Sequence, residues 1–298
     1  MKKSLIALAV LATAGTAFAQ SSVTINGAFR AGFHSDATGV KSIADDQSSG
    51  NNVNFRVVED LGGGLKFDGH AQLRYRIANG DNTNTTGTTD ALFHLANVGV
   101  SGAFGQMQIG RIGFDQMWGY NPFGSNGAHL NVSGTGGATE DGQWRYTAPT
   151  FAPGLKVSLG GALKANTLGA SDSSQFLVTY AQGPFAATVV SEKISTGKKY
   201  TAVGGSYDLG VAKIMLISAN DKLAGVKTAD GVSLSVTAPM GAVLLKAGQM
   251  NSKMATNLDK TSFGVEYALS KRTVVEANTY KVKGQTNQSY WIGARHSF

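Results

Sequence analysis

Cysteine is absent from all 298 residues, which excludes disulfides, thiolate metal sites and a cysteine nucleophile together. Beyond Gln20 no apolar stretch reaches the roughly 18 residues of a transmembrane helix, so a helical membrane protein is excluded as well. No segment shows a convincing 3.6-residue period. Five histidines (His34, His70, His94, His129, His296) have no metal-ligand spacing. Asp45-Asp46 and Glu140-Asp141 read as solvated loop charge rather than a calcium site. Gly197-Lys198-Lys199 lacks the leading glycine and the following Ser or Thr of a phosphate loop. Serine, histidine and aspartate are too common here for their co-occurrence to mark a triad. No catalytic residue, metal or cofactor is expected, and no enzymatic activity.

Glycine, by contrast, is abundant at 39 residues, and 42% of the chain is apolar with a mean hydropathy of -0.07. The first 19 residues differ from the rest. Lys2 and Lys3 form a basic start, Leu5 to Ala14 an apolar run, and Ala17-Phe18-Ala19 the small residues a signal peptidase needs. This reads as a cleaved export signal, residues 1–19, ahead of a single domain, 20–298. Losing the two lysines takes the net charge from +7 to +5. A basic balance alone does not imply nucleic acid in an exported protein, and no nucleic-acid partner is expected.

The dominant signal is two-residue alternation. Leu65, Phe67, Ala71, Leu73, Tyr75 and Ile77 interleave with Lys66, Asp68, His70, Gln72, Arg74 and Arg76. Side chains on a strand point to opposite faces in turn, so one face of this strand is apolar and the other strongly polar. Val23/Ile25/Phe29/Phe33, Trp144/Tyr146, Leu155/Val157/Leu159, Val232/Leu234/Val236, Phe263/Val265/Tyr267 and Tyr290/Ile292/Ala294 repeat the pattern. Parity is less regular near 92–100, 185–191 and 211–218, in keeping with the weak signal each barrel strand carries.

Seven short turns rich in Gly, Pro and Asp alternate with eight polar loops, at about 35–51, 78–90, 113–142, 164–174, 192–199, 219–230, 251–260 and 282–288. Fifteen connections make sixteen strands. An even number of antiparallel strands, with short turns on one side and long loops on the other, fits a closed transmembrane β-barrel. A soluble β-sandwich also alternates, but it leaves the loop asymmetry and the clustered arginines unexplained. In a barrel the apolar side chains meet lipid and the polar ones line an interior too wide for side chains to fill.

The arginines on the polar parity are Arg30, Arg56, Arg74, Arg76, Arg145 and Arg295. Arginine keeps its charge in a narrow lumen, and a ladder of such charges attracts anions. These six are the expected pore-lining basic wall. Arg111 shares parity with apolar Met107 and Ile109, and faces the lumen only if the strand ends or bulges there. Trp291 falls on the lumenal parity.

The chain resembles the Gram-negative general porins of the betaproteobacterial type. The resemblance rests on the opening Ser21-Ser22-Val23-Thr24-Ile25-Asn26-Gly27, the turn Glu59-Asp60-Leu61-Gly62-Gly63-Gly64, the segment Val98 to Gly105, and the ending Gly293-Ala294-Arg295-His296-Ser297-Phe298. It implies a sixteen-stranded homotrimer in outer-membrane lipid and lipopolysaccharide, and passive diffusion of small hydrophilic solutes and ions. It also implies that Phe298 is read by the barrel-assembly machinery, and that the third loop, 113–142, folds inward as a constriction. That loop holds Asp115, Trp118, Tyr120, Glu140 and Asp141. Ala28-Phe29-Arg30 departs from the family's acidic position in the first strand. Two alternatives stay open: a substrate-selective channel with an aromatic track at Trp118 and Tyr120, and a structural or adhesive barrel with a blocked lumen.

Overall fold

The computed structural model describes residues 21–45, 51–80, 92–113, 117–123, 128, 130, 132, 140–163, 172–254 and 259–298. Its strands are β1 (Ser22–Ser35), β2 (Lys41–Ala44), β3 (Asn51–Gly62), β4 (Leu65–Tyr75), β5 (Leu95–Gly102) and β6 (Gly105–Ile112). There follow β7 (Glu140–Thr147), β8 (Leu155–Ala162), β9 (Ser173–Gln182), β10 (Phe185–Lys193), β11 (Lys199–Asp208) and β12 (Lys213–Leu223). The last five are β13 (Val226–Met240), β14 (Val243–Ser252), β15 (Lys260–Ala268), β16 (Thr273–Val282) and β17 (Ser289–Ser297).

β1 pairs antiparallel with both β2 and β3, from β3 onward each strand pairs antiparallel with the next, and β17 returns to pair with β1 from Ala28↔Ser297 to Ser35↔Tyr290. The sheet is therefore closed. β2 and β3 lie along the same edge of β1, against Gly32–Ser35 and Ser22–Ala28 respectively, so together they form one interrupted stave. The barrel has sixteen staves. Closure matters because an open edge in lipid leaves N–H and C=O groups with no partner. At the seam Phe298 exchanges two backbone hydrogen bonds with Gly27 (3.1 and 3.2 Å) and rests its ring beside Phe29, 5.4 Å between centroids. Trp291 covers the inner side of the seam: its ring lies over Gly32 and Gly293, and its indole N–H donates to the Ala44 carbonyl (3.3 Å).

The alternation decides which face is which. Val23 and Phe33 are each 69% exposed, and Ile109, Leu159, Leu216, Phe263 and Ile292 stand out on other staves, forming an apolar exterior. The intervening residues face inward. An apolar outside and a polar inside is the inverse of a soluble core.

Two connections differ from the sequence reading. The loop expected over 219–230 is a hairpin: β12 and β13 run on to Leu223 and Val226, joined by Ala224-Gly225 with φ of 50° and 83°. Positive φ at both central residues matches the strand twist, so polar Asp221, Lys222 and Asp230 belong to strands that continue beyond the apolar band. The loop expected over 35–51 contains β2. Asp36 organises its start, accepting from the Thr38 and Val40 backbone N–H groups at 2.9 Å each. These bonds and the Thr38 hydroxyl hold the Asp36 carboxyl below its ordinary pKa, the hydroxyl first.

Candidate functional site: the barrel lumen

One side of the lumen is a polar wall on β3 to β6. Arg56 stands opposite His70, Asn54 opposite Gln72, and Asn52 opposite Arg74, all on the inward parity. Asn54 Oδ1 accepts from Gln72 Nε2 (2.8 Å) and lies 3.0 Å from His70 Nε2. Gln72 Oε1 in turn accepts from Arg74 Nε (3.0 Å). This chain of amides orients the arginine. Deeper along β4, Asp68 is taken up by Gln106 Nε2 (2.8 Å) and Gln108 Nε2 (3.4 Å). Among the described residues no carboxylate forms an ion pair with Arg56. Arg76 lies just past the end of β4, exposed.

The wall of β1 and β14 to β17 carries an ion network instead. Arg30 pairs with Glu276, and Lys246 Nζ reaches Glu266 at 2.8 Å and Glu276 at 3.6 Å. Arg295 meets Glu266 at 3.5 Å. Arg30 and Lys246 are buried, and Arg30 also sits over the Trp291 ring at 5.2 Å. Three cations face two carboxylates. Arg30 and Arg295 are thus not free rungs of a ladder, because the adjacent staves bring glutamates of the same parity against them.

Across the lumen, the β6–β7 connection lies against β10 to β15. A short helical turn, Met117–Tyr120, buries Met117 and Tyr120 while leaving Trp118 exposed. Tyr120 Oη is 2.9 Å from Thr188 Oγ1, and Ser262 Oγ donates to the Ala128 carbonyl at 2.8 Å. Phe123 and Leu130 are 0% and 1% exposed, packed with inward-facing Val190, Met215, Ile217 and Met250 in one apolar cluster. A connection between β6 and β7 reaches β14 and β15, roughly halfway round the ring, only by crossing the interior.

At the root of this loop β7 carries one residue more than β6, between Gly110 and Ile112. Gly110 and Gly142 take φ of 127° and 62°, which side-chain-bearing residues rarely adopt. The irregularity turns Arg111, whose guanidinium pairs with Asp141 (2.6 Å) and donates to the His94 carbonyl (3.0 Å). Arg145 donates to the Gly113 carbonyl where the loop departs. Asp115 and the Glu140 side chain lie outside the described residues.

Over residues 4–287 the chain matches the family described as Gram-negative porin. It belongs to that family. Outer membrane porin protein 32 of Delftia acidovorans is 29% identical over 99% of this chain and 93% of its own length. Major outer membrane protein P.IB of Neisseria lactamica is 27% identical over the full length of both. The anion-selective porin from Comamonas acidovorans superposes with a TM-score of 0.72 at 23% identity, covering 94% of this chain and 100% of that one. A variant of the Rh. blastica porin gives 0.70 at 14%, covering 93% of this chain and 100% of that one.

The porin is a multi-pass protein of the Gram-negative outer membrane, a channel for passive diffusion of small hydrophilic solutes. Within it Arg56 and Arg74 share the polar wall, Arg30 and Arg295 share the ion network, and Arg145 anchors the inward loop. Lys246, Glu266 and Glu276 were not singled out from sequence, although all three lie on the lumenal parity of apolar-alternating strands. Gly204, Gly231, Gly248 and Gly264 also escaped notice. A glycine in mid-strand is the available signal, since it marks close approach by another part of the chain.

Proposed function

We propose that this porin prefers anions, and that Arg56 and Arg74 on the β3–β4 wall are the residues that select them. The observation that carries the reading is the amide chain Asn54–Gln72–Arg74, which orients a guanidinium on a wet wall while Arg56 beside it has no carboxylate partner among the described residues. The 3:2 ratio of cations to carboxylates in the ion network adds to the same sign. A field of one sign along a pore raises the local concentration of the opposite ion. The similarity to the anion-selective porin from Comamonas acidovorans supports it. Trp118 and Tyr120 of the inward connection, with Asp141 at the start of β7 beside its root, narrow the path, Tyr120 acting from beneath.

The same reading includes a homotrimer in lipopolysaccharide-bearing membrane, an export signal removed after residue 19, and recognition of Phe298 during assembly. It is a channel reading and not an enzymatic one. The test is the reversal potential in a planar bilayer under a KCl gradient. A chloride-selective value is expected for the native protein, moving towards zero in Arg56→Gln/Arg74→Gln with conductance largely kept. A cation-selective native channel overturns the anion preference.

A further inference from the structure

We propose that four inward glycines, Gly204, Gly231, Gly248 and Gly264, are positioning residues that set the pore size by seating the apolar side chains of the β6–β7 connection against the β11–β15 wall. The inference rests on the channel function and names the residues that fix its calibre.

Conformation does not demand glycine at these positions. The positive-φ glycines of the described chain lie at turns and at strand irregularities, and none of these four is among them. Space is what they supply. A Cβ on Gly204 would stand 2.6 Å from Tyr120 Cδ2 and 2.9 Å from Met117 Sδ. On Gly248 it would collide with Leu130 Cδ1. On Gly231 it would meet the Asn251 carbonyl first and then Val132 Cγ1 at 2.9 Å, and on Gly264 Asn278 Oδ1 and Lys246 Cε (2.8 Å) first and then Phe123 Cε1 at 3.3 Å. Gly204 and Gly248 are thus the seats set directly by the connection. Real Cβ atoms do not approach other atoms within 3.0 Å, so Tyr120, Val132 and Leu130 can sit this low only over glycine. Four seats on β11, β13, β14 and β15 take successive parts of one connection.

Other contacts agree with this placement. Thr188, Ser235 and Ser262 supply side-chain oxygens to Tyr120 Oη, the Tyr120 carbonyl and the Ala128 carbonyl, at 2.9, 3.5 and 2.8 Å. Lys246 Nζ lies 5.6 Å from the Phe123 ring centroid, so the connection also lies over the edge of the ion network. Each seat lets the connection lie closer to the wall. Raising it by a side chain shifts the connection off these oxygens and out of register with the remaining seats.

The experiment is a size swap. Gly248→Leu, folded into bilayers and checked by its heat-dependent gel shift, should release the connection from the wall. Single-channel conductance is expected to fall by about twofold, with sugars just below the native size limit no longer entering liposomes, since the raised connection narrows the cross-section that conduction follows. Adding Leu130→Ala to Gly248→Leu should restore both readouts towards native, because the smaller loop residue refits the filled seat. Ala247→Leu, on the outer face of the same stave, should change neither. Should Gly248→Leu fail to fold, Leu130→Asp attacks the same contact from the loop side and carries the same expectation. Folded Gly248→Leu with native conductance and size limit overturns the proposal, as does a double variant no closer to native than the single one. A native barrel without conductance would instead overturn the channel function.

Discussion

The β3–β4 wall and the β11–β12 wall are built from the same alternating strands, yet their inner faces are chemically opposite. On β4 the inward residues are Asp68, His70, Gln72 and Arg74, tied by side-chain hydrogen bonds and facing water. On β12 they are Met215, Ile217 and Ala219, all buried beneath the inward connection. Backbone geometry does not distinguish the two walls. What differs is the substance against each inner face: solvent for one, a piece of the same chain for the other. A lumen can therefore be a channel on one side and a hydrophobic core on the other.

The comparison breaks most visibly where charge is buried. Arg30→Met removes the close partner of Glu276, leaving Lys246 at 3.6 Å as its remaining cation among the described residues. Breaking the closer half of a buried pair in this way costs about 3 kcal/mol, so the urea midpoint of the folded barrel should fall clearly. Arg56→Met, on the wet wall, is expected to stay within about 0.5 kcal/mol of native. Equal losses from the two substitutions would show that the walls do not differ in solvation.

Next in size is a polar group placed on the covered wall. Ile217→Asn loses apolar contact and buries an amide against Met215 and the inward connection, for about 2–3 kcal/mol. Gln108→Asn on the polar wall only shortens one arm to Asp68 and is expected to cost within about 0.5 kcal/mol. The midpoints of the two variants, measured side by side in the same vesicles, give the contrast directly.

This contrast also explains what could be read in the sequence. Strand β4 is legible because lipid touches one face and water the other, so Leu65 to Ile77 alternates cleanly. Ile214-Met215-Leu216-Ile217 is apolar on both parities. Its outward pair faces lipid and its inward pair meets the connection, and no single-strand pattern separates the two. The irregular parity near 185–191 and 211–218 is thus a consequence of packing inside the barrel and not of a weak signal alone. The arginines of the polar wall were legible for the same reason as β4. The pairing of Arg30 and Arg295 was not, because it depends on which staves close the ring beside Glu266 and Glu276.

The smallest effect sharpens the polar wall by pH. His94 lies just before β5, its backbone N–H bonded to the Gln72 carbonyl (2.8 Å). Burial, and then the nearby Arg74 and Arg111, push its pKa down to about 3 from the ordinary 6.5. The folded protein therefore keeps this ring neutral where the unfolded chain takes up a proton. Between pH 6.5 and about 3 the unfolded state binds more protons, so the His94 contribution is complete above 6.5 and is lost as pH falls through that window. His94→Gln should flatten part of the acid limb of the urea midpoint against pH, and leave the reversal potential at pH 7 unchanged because the native ring carries no charge there. A reversal potential that shifts towards zero at pH 7 in His94→Gln would mean that the ring is charged, and that the two arginines beside it do not dominate the field of that wall.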